Sequence, residues 1–196
     1  MHLACAYGKS STALTLLSRG ANPNLIDQNG RTPLMVACFY ELVDTVADMI
    51  MQGVDVNIKN KQGISPILWC VVNGHNHLLS KIIYIGGGDY NQMNTEGESL
   101  LHIAIRNGFL QIAWSLIETD SIDLNSTTKT YHCTALHLAC YYNHISLAVK
   151  LIELGADMTI KDTYDGETAF AYLFMLILIH IRIHILIHIR IHILIH

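Results

Sequence analysis

A chain of 196 residues, 51% of them hydrophobic, is long enough to build one sizeable domain around its own core. Its 12 basic and 16 acidic residues give a net charge of -4, without the positive excess that a phosphate backbone attracts, so nucleic acid is not an expected partner. Five cysteines without a C-x-x-C pair fit neither a disulfide framework nor a zinc ribbon and point to a reducing, cytoplasmic compartment. The start, Met1 to Lys9, has neither the basic end nor the apolar core of a secretory signal.

One short unit recurs along the chain. A hydroxyl residue opens an apolar run at Thr32, Ser65, Ser99, Thr134 and Thr168, at spacings of 33, 34, 35 and 34 residues. A period of this length outranks any single-element reading. Each opening predicts the N-cap of a first helix, its side-chain oxygen accepting a free backbone N–H, and Pro33 and Pro66 stand at N1, where no donor is needed. Small residues at one offset in that helix (Ala4, Ala37, Cys70, Ala104, Ala139) predict close approach between neighbouring helices. A second helix follows, with apolar pairs expected in the core: Leu16-Leu17, Met49-Ile50, Ile82-Ile83, Leu116-Ile117 and Leu151-Ile152. Gly20, Gly53, Gly86 and Gly155 suit left-handed helix ends, and Gly30, Gly63, Gly97 and Gly166 stand in a turn two residues before an opening. The fourth unit has Asp120 in place of the closing glycine and an extra residue before Thr134, so its hairpin is expected to be shaped differently. One unit cannot bury its apolar face alone, whereas stacked units bury a continuous core.

These residues resemble the ankyrin repeats. The likeness rests on Gly30-Arg-Thr-Pro-Leu-Met-Val-Ala37, Leu101-His-Ile-Ala104 and Thr134-Ala-Leu-His-Leu-Ala139, with Gly20-Ala-Asn-Pro-Asn24, Gly53-Val-Asp-Val-Asn57 and Gly155-Ala-Asp157 from the second half of the motif. It covers about residues 1–172 and implies an all-α solenoid of about five helix-turn-helix repeats, the first and last incomplete, joined by β-hairpin-like loops. Neither end reads as a polar capping repeat, which suggests a piece of a longer array.

The resemblance implies a non-catalytic scaffold that binds another protein, and the residues carry no rival chemistry. Phosphate-loop, dinucleotide, metalloprotease, hydrolase and kinase motifs are missing from the sequence. Gly86-Gly87-Gly88 follows a helix, the wrong end for an anion, and reads as a turn. His2, His102 and His137 recur at the unit period, and the family uses this histidine to tie repeats together by hydrogen bonds. Cys5, Cys38 and Cys140 share an offset and read as packing residues, and His75-Asn76-His77 as a polar turn between helices. No metal or cofactor is expected.

Ankyrin repeats usually meet a partner with the hairpin fingertips and the inner face of the first helix. The outward positions at the ends of those helices are Ala6-Tyr7, Phe39-Tyr40, Val72-Asn73, Arg106-Asn107 and Tyr141-Tyr142. Aromatic residues and arginine are the side chains that most often anchor interfaces. Phe39 and Val72 can instead pack on neighbouring repeats, which leaves Tyr7, Tyr40 and Tyr142 as the clearest ladder. Fingertip candidates are Gln28, Asn29, Arg31, Lys61, Gln62, Thr95, Glu96, Glu98, Tyr131, Tyr164, Asp165 and Glu167, whose mixed charges favour no single ligand class.

Residues 173–196 form a separate low-complexity tail in which His180-Ile-Arg-Ile-His-Ile-Leu-Ile187 repeats from His188. Strict alternation of isoleucine predicts a strand, while histidines four apart would align on a helix as metal ligands. Residues 170–196 also exceed the ~20 needed for a membrane span, so a tail-anchored, membrane-associated scaffold is the alternative. A translated simple repeat without function is the third reading of the tail.

Overall fold

The computed structural model describes residues 1–119, 121–175 and 178. The expectations for Asp120 and for most of the tail, including its strand, metal-binding and membrane-spanning readings, lie outside the described residues. The helices are α1 (His2–Ala6), α2 (Ser10–Ser18), α3 (Pro33–Phe39), α4 (Val43–Met51), α5 (Pro66–Asn73), α6 (Asn76–Ile85), α7 (Leu100–Arg106), α8 (Leu110–Ile117), α9 (Ala135–Tyr141) and α10 (Ile145–Glu153). Residues 169–175 are also helical. Among the described residues there is no strand, only antiparallel bridges between Met93 and Ser99 and between Lys161 and Thr168.

The hydroxyl openings act as N-caps. Thr32 Oγ1 accepts the Met35 N–H at 3.3 Å, Ser65 Oγ that of Leu68 at 3.1 Å, and Ser99 and Thr134 those of His102 and His137 at 3.4 Å. These caps are buried, so each hydroxyl replaces a water that could not reach the helix end. At the other end of a repeat, Gly86 has φ 87° and ψ -174°. This extended mirror-image conformation is open to glycine alone and carries the chain straight out of α6.

The chain divides into two compact units, Met1–Asp123 and Leu124 onward. In the first, the leading helices pack in the order α1, α3, α5, α7 and the second helices in the order α2, α4, α6, α8. Ala37, Cys70 and Ala104 are fully buried between leading helices, and Met49, Ile82 and Leu116 are fully buried on the second helices. Leu16 departs from the expected core pattern: it is 37% exposed, because no helix pair precedes α1 and α2 among the described residues. Asn76 and His77 are likewise not a turn, since α6 begins at Asn76 with His75 as its N-cap.

Hairpins in this unit are tied side by side. Asp27, Asn60 and Asn94 each accept two later backbone N–H groups at 2.9–3.0 Å through Oδ1, folding the tip. Asn57 then donates to Gly87 O at 3.0 Å and accepts from Asp89 N at 2.8 Å, and Asn91 does the same with Ser121 O at 2.6 Å and Asp123 N at 2.7 Å. The tips come so close that a Cβ on Gly30 would meet Lys61 N at 2.8 Å.

In the second unit α9 packs on α10, with Leu136, Ala139, Leu147 and Leu151 as its core. Its hairpins hold one residue more than those of the first unit. Thr128 N donates to Cys133 O at 3.0 Å, with His132 at φ 53°, and Asp162 N donates to Glu167 O at 2.9 Å. The altered hairpin expected before Thr134 is therefore present, and the one before Thr168 shares its extra residue.

Candidate functional site

The recurring histidines are engaged at repeat junctions and caps. His2 Nε2 lies 2.7 Å from Arg31 O, reaching from α1 to the hairpin that leads into α3. Nδ1 of His102 and of His137 lies 2.7 and 2.8 Å from the hydroxyls of Ser99 and Thr134, and each also accepts the backbone N–H of that residue. Hydroxyl and imidazole thus cap one another, a variant of the capping box.

The cysteines are packing residues. Cys5, Cys38, Cys70 and Cys140 are buried, and none of the five cysteines forms a disulfide. A hydrogen bond with Cys70, then burial, pushes the Cys38 thiol well up; burial takes Cys140 to about 11, and burial with the nearby Asp162 charge takes Cys133 to about 11. Such thiols stay protonated at neutral pH and are poor nucleophiles. Among the described residues no group of three or more His, Cys, Asp or Glu side chains is placed to hold a metal.

What the fold leaves outward is a set of aromatic rings. At the ends of the leading helices in the first unit, Tyr7 is 74% exposed, Tyr40 50% and Phe39 46%, with Asn73 and Asn107 also exposed. Phe39 packs edge-on to Tyr40 with centroids 5.0 Å apart and lies 5.3 Å from Trp69. It therefore both packs on the neighbouring repeat and faces solvent. Trp69 was not among the residues singled out from sequence. Its signal was a departure from pattern, an aromatic four residues after Ser65 where Val36, Ile103 and Leu138 stand in other repeats. In the second unit Tyr141 and Tyr142 hold the matching positions, their rings 5.2 Å apart and edge-on.

Several charged candidates are committed within the protein. Arg106 forms a two-point ion pair with Glu98, at 2.8 and 2.9 Å, and Glu98 is 7% exposed and so not a fingertip surface. Arg31 pairs with Asp27 at 2.8 Å, and Lys61 Nζ donates to Gln28 O at 2.7 Å. Gln28, Asn29, Gln62 and Glu96 are exposed at the tips of the first unit. At the tips of the second, Tyr131 and Tyr164 form an exposed edge-on pair with centroids 5.7 Å apart, held by a bond from Thr163 N to Tyr131 O.

A family model described as ankyrin repeats (3 copies) matches residues 1–84 and 67–162. Rabankyrin-5 of Mus musculus is 26% identical over 157 residues, and the nuclear factor NF-kappa-B p105 subunit of Gallus gallus is 28% identical over 167. These matches take in 80% and 83% of the chain but 13% and 17% of those proteins, so the chain spans under a fifth of their length. Among solved structures, the ankyrin repeat protein EF0377 superposes with a TM-score of 0.71 at 24% identity, over 88% of this chain and 91% of that one. The ankyrin repeat domain of Bcl-3 gives 0.74 at 19% identity, over 87% and 77%. Ankyrin repeats are in general protein–protein interaction modules and typically non-enzymatic. An all-α solenoid, a recurring hairpin and the family match agree, and the chain belongs to the ankyrin-repeat family.

Proposed function

We propose that this chain is a non-catalytic scaffold that binds a partner protein through the outward ends of its leading helices and the hairpin tips. The observation that carries the reading is the exposure of Tyr7, Phe39 and Tyr40 at one recurring position, the ends of successive leading helices, where aromatic side chains are of the kind that anchors interfaces. Tyrosine and phenylalanine give much contact area for few rotatable bonds, which makes them efficient anchors. Arg106 serves in this reading as a fixed, preorganised cation, and Tyr141 and Tyr142 offer the same chemistry in the second unit. A reducing, cytoplasmic setting belongs to the proposal, supported by five cysteines of which none forms a disulfide.

Among the described residues no helix is long and apolar enough to cross a membrane; the tail on which the anchored alternative rests lies almost wholly outside them. The test is affinity capture from cell lysate with the intact chain and with its Tyr7→Ala, Tyr40→Ala, Tyr142→Ala variant, both checked for equal helix content. A partner kept by the first and lost by the second supports the reading. Equal retention by both would move the site away from the helix ends.

A further inference from the structure

Asparagine is followed by glycine at three places in the chain, Asn29-Gly30, Asn73-Gly74 and Asn107-Gly108. In such a pair the glycine nitrogen can attack the asparagine side-chain amide, because no Cβ on the glycine screens the approach. The three asparagines are all exposed, and the three glycines share a φ of 73–75°. Each glycine N–H donates to the carbonyl three residues back, at 2.9 Å for Gly30, 3.3 Å for Gly74 and 3.0 Å for Gly108. The glycines alone therefore do not separate the pairs, and their surroundings do.

Asn29 is clamped in its hairpin tip. Its backbone N–H donates to Asp27 Oδ1 at 2.9 Å, and Gly30 is buried, with Lys61 N only 2.8 Å from where a Cβ would stand. Asn73 is the last residue of α5, and its Nδ2 donates to Trp69 O at 2.9 Å. The Phe109 ring lies 2.9 Å from a Cβ placed on Gly74. Asn107 lacks all of these restraints. It is the C-cap beyond α7, and no hydrogen bond from its side chain is found among the described residues. Gly108 is exposed, and a Cβ placed there would meet nothing within 4 Å.

We propose that Asn107 is a site of spontaneous modification, at which its side-chain amide becomes a carboxylate. Asn107 has φ -86° and ψ -1°, so the backbone turns about ψ to bring Gly108 N onto Cγ, and the open space around Gly108 lets it follow. The bond from Gly108 N to Ile105 O is given up. Gly108 N loses its proton and bonds to Cγ, the Cγ–Nδ2 bond breaks, and Nδ2 leaves as ammonia with that proton. Water is the only co-reactant. Its addition to Cγ of the resulting succinimide gives aspartate, and its addition to the backbone carbonyl gives isoaspartate. The consequence for binding rests on the proposed partner surface, where a neutral amide beside Arg106 turns into an anion. The chemistry itself does not depend on that surface.

The test incubates the intact folded chain at mildly alkaline pH, which favours loss of the glycine proton, and follows peptides covering the three pairs by mass spectrometry. Isoaspartate is counted separately by enzymatic methylation with protein isoaspartate methyltransferase. Asn107 is expected to convert at least about tenfold faster than Asn29 and Asn73, with isoaspartate among its products. In the urea-unfolded chain, where no fold restrains any pair, the three rates are expected to agree within about threefold. Equal rates at the three pairs of the folded chain would mean that conversion waits on global unfolding, and would overturn the proposal. So would faster conversion at Asn29 or Asn73, or an Asn107 that stays intact in the folded chain while the unfolded one converts. No partner takes part in this measurement, so its failure is distinct from a failure of the partner surface.

Discussion

Asp162 is only 4% exposed, yet its carboxyl has more partners than any other in the second unit's hairpins. Oδ1 accepts the backbone N–H groups of Tyr164, Asp165 and Gly166 at 3.0–3.1 Å, and Oδ2 accepts the Tyr172 hydroxyl at 2.9 Å. Burial works to raise its pKa, but the Asp165 amide, the Tyr172 hydroxyl and the amides of Tyr164 and Gly166 outweigh that and hold it below the ordinary value. His137 is shifted by burial in the direction that keeps it neutral, only partly opposed by the Glu167 backbone and the Asp162 charge. Both shifts make acid destabilising. Stability from neutral His137 is present above about pH 6.5 and lost as pH falls through its lowered folded value. That from Asp162 is complete above about pH 4 and lost as pH falls through its own. Thermal midpoints measured from pH 7 to pH 3 should therefore drop in two stages. Asp162→Asn should shrink the lower stage and, by weakening charge-assisted bonds, cost on the order of 2 kcal/mol at pH 7. An undiminished lower stage would remove Asp162 from the account. None of this was legible in the sequence, where Asp162 is one acid among several near a turn. Its role comes from three amides that the hairpin turns inward.

At the scale of elements, the helices were legible because capping and periodicity are local. Thr32, Ser65, Ser99 and Thr134 open helices for the same reason, and the apolar offsets follow from the face each helix must bury. The asparagines that tie the hairpins were harder to see. Asn24, Asn57, Asn91 and Asn125 recur with the period, but their partners are backbone groups about 30 residues on, which no local pattern names. In the second unit Asn125 Oδ1 accepts from Asp157 N at 2.8 Å, repeating the arrangement of Asn57 and Asn91. Asn57→Ala should lower stability by about 1 kcal/mol, since two solvent-accessible bonds are lost, and the Asp89 amide should exchange faster. Asn24 supplies the control: no hydrogen bond from its side chain is found among the described residues, so Asn24→Ala should leave the thermal midpoint unchanged. Equal losses at both positions would mean that the ladder contributes nothing.

At the scale of the whole molecule, the repeat decides what can be surface. Positions that recur for packing are mostly spent inward, Leu16 being an exception, and the variable positions at helix ends and hairpin tips are left for recognition. That division could be read from sequence, and it placed Tyr7, Phe39, Tyr40, Tyr141 and Tyr142 outward, where they stand. It could not show that Arg106 and Arg31 are committed to Glu98 and Asp27, because ion pairs depend on where side chains meet in the folded chain. The central claim is that a partner lies against the helix ends, and its most direct test is site-specific photocross-linking in cell lysate. A benzophenone side chain would replace Tyr40 in one sample and Tyr84, on α6 and 88% exposed, in another. A cross-linked partner is expected from Tyr40 and not from Tyr84. The same product from both positions, or a product from Tyr84 alone, would contradict the claim.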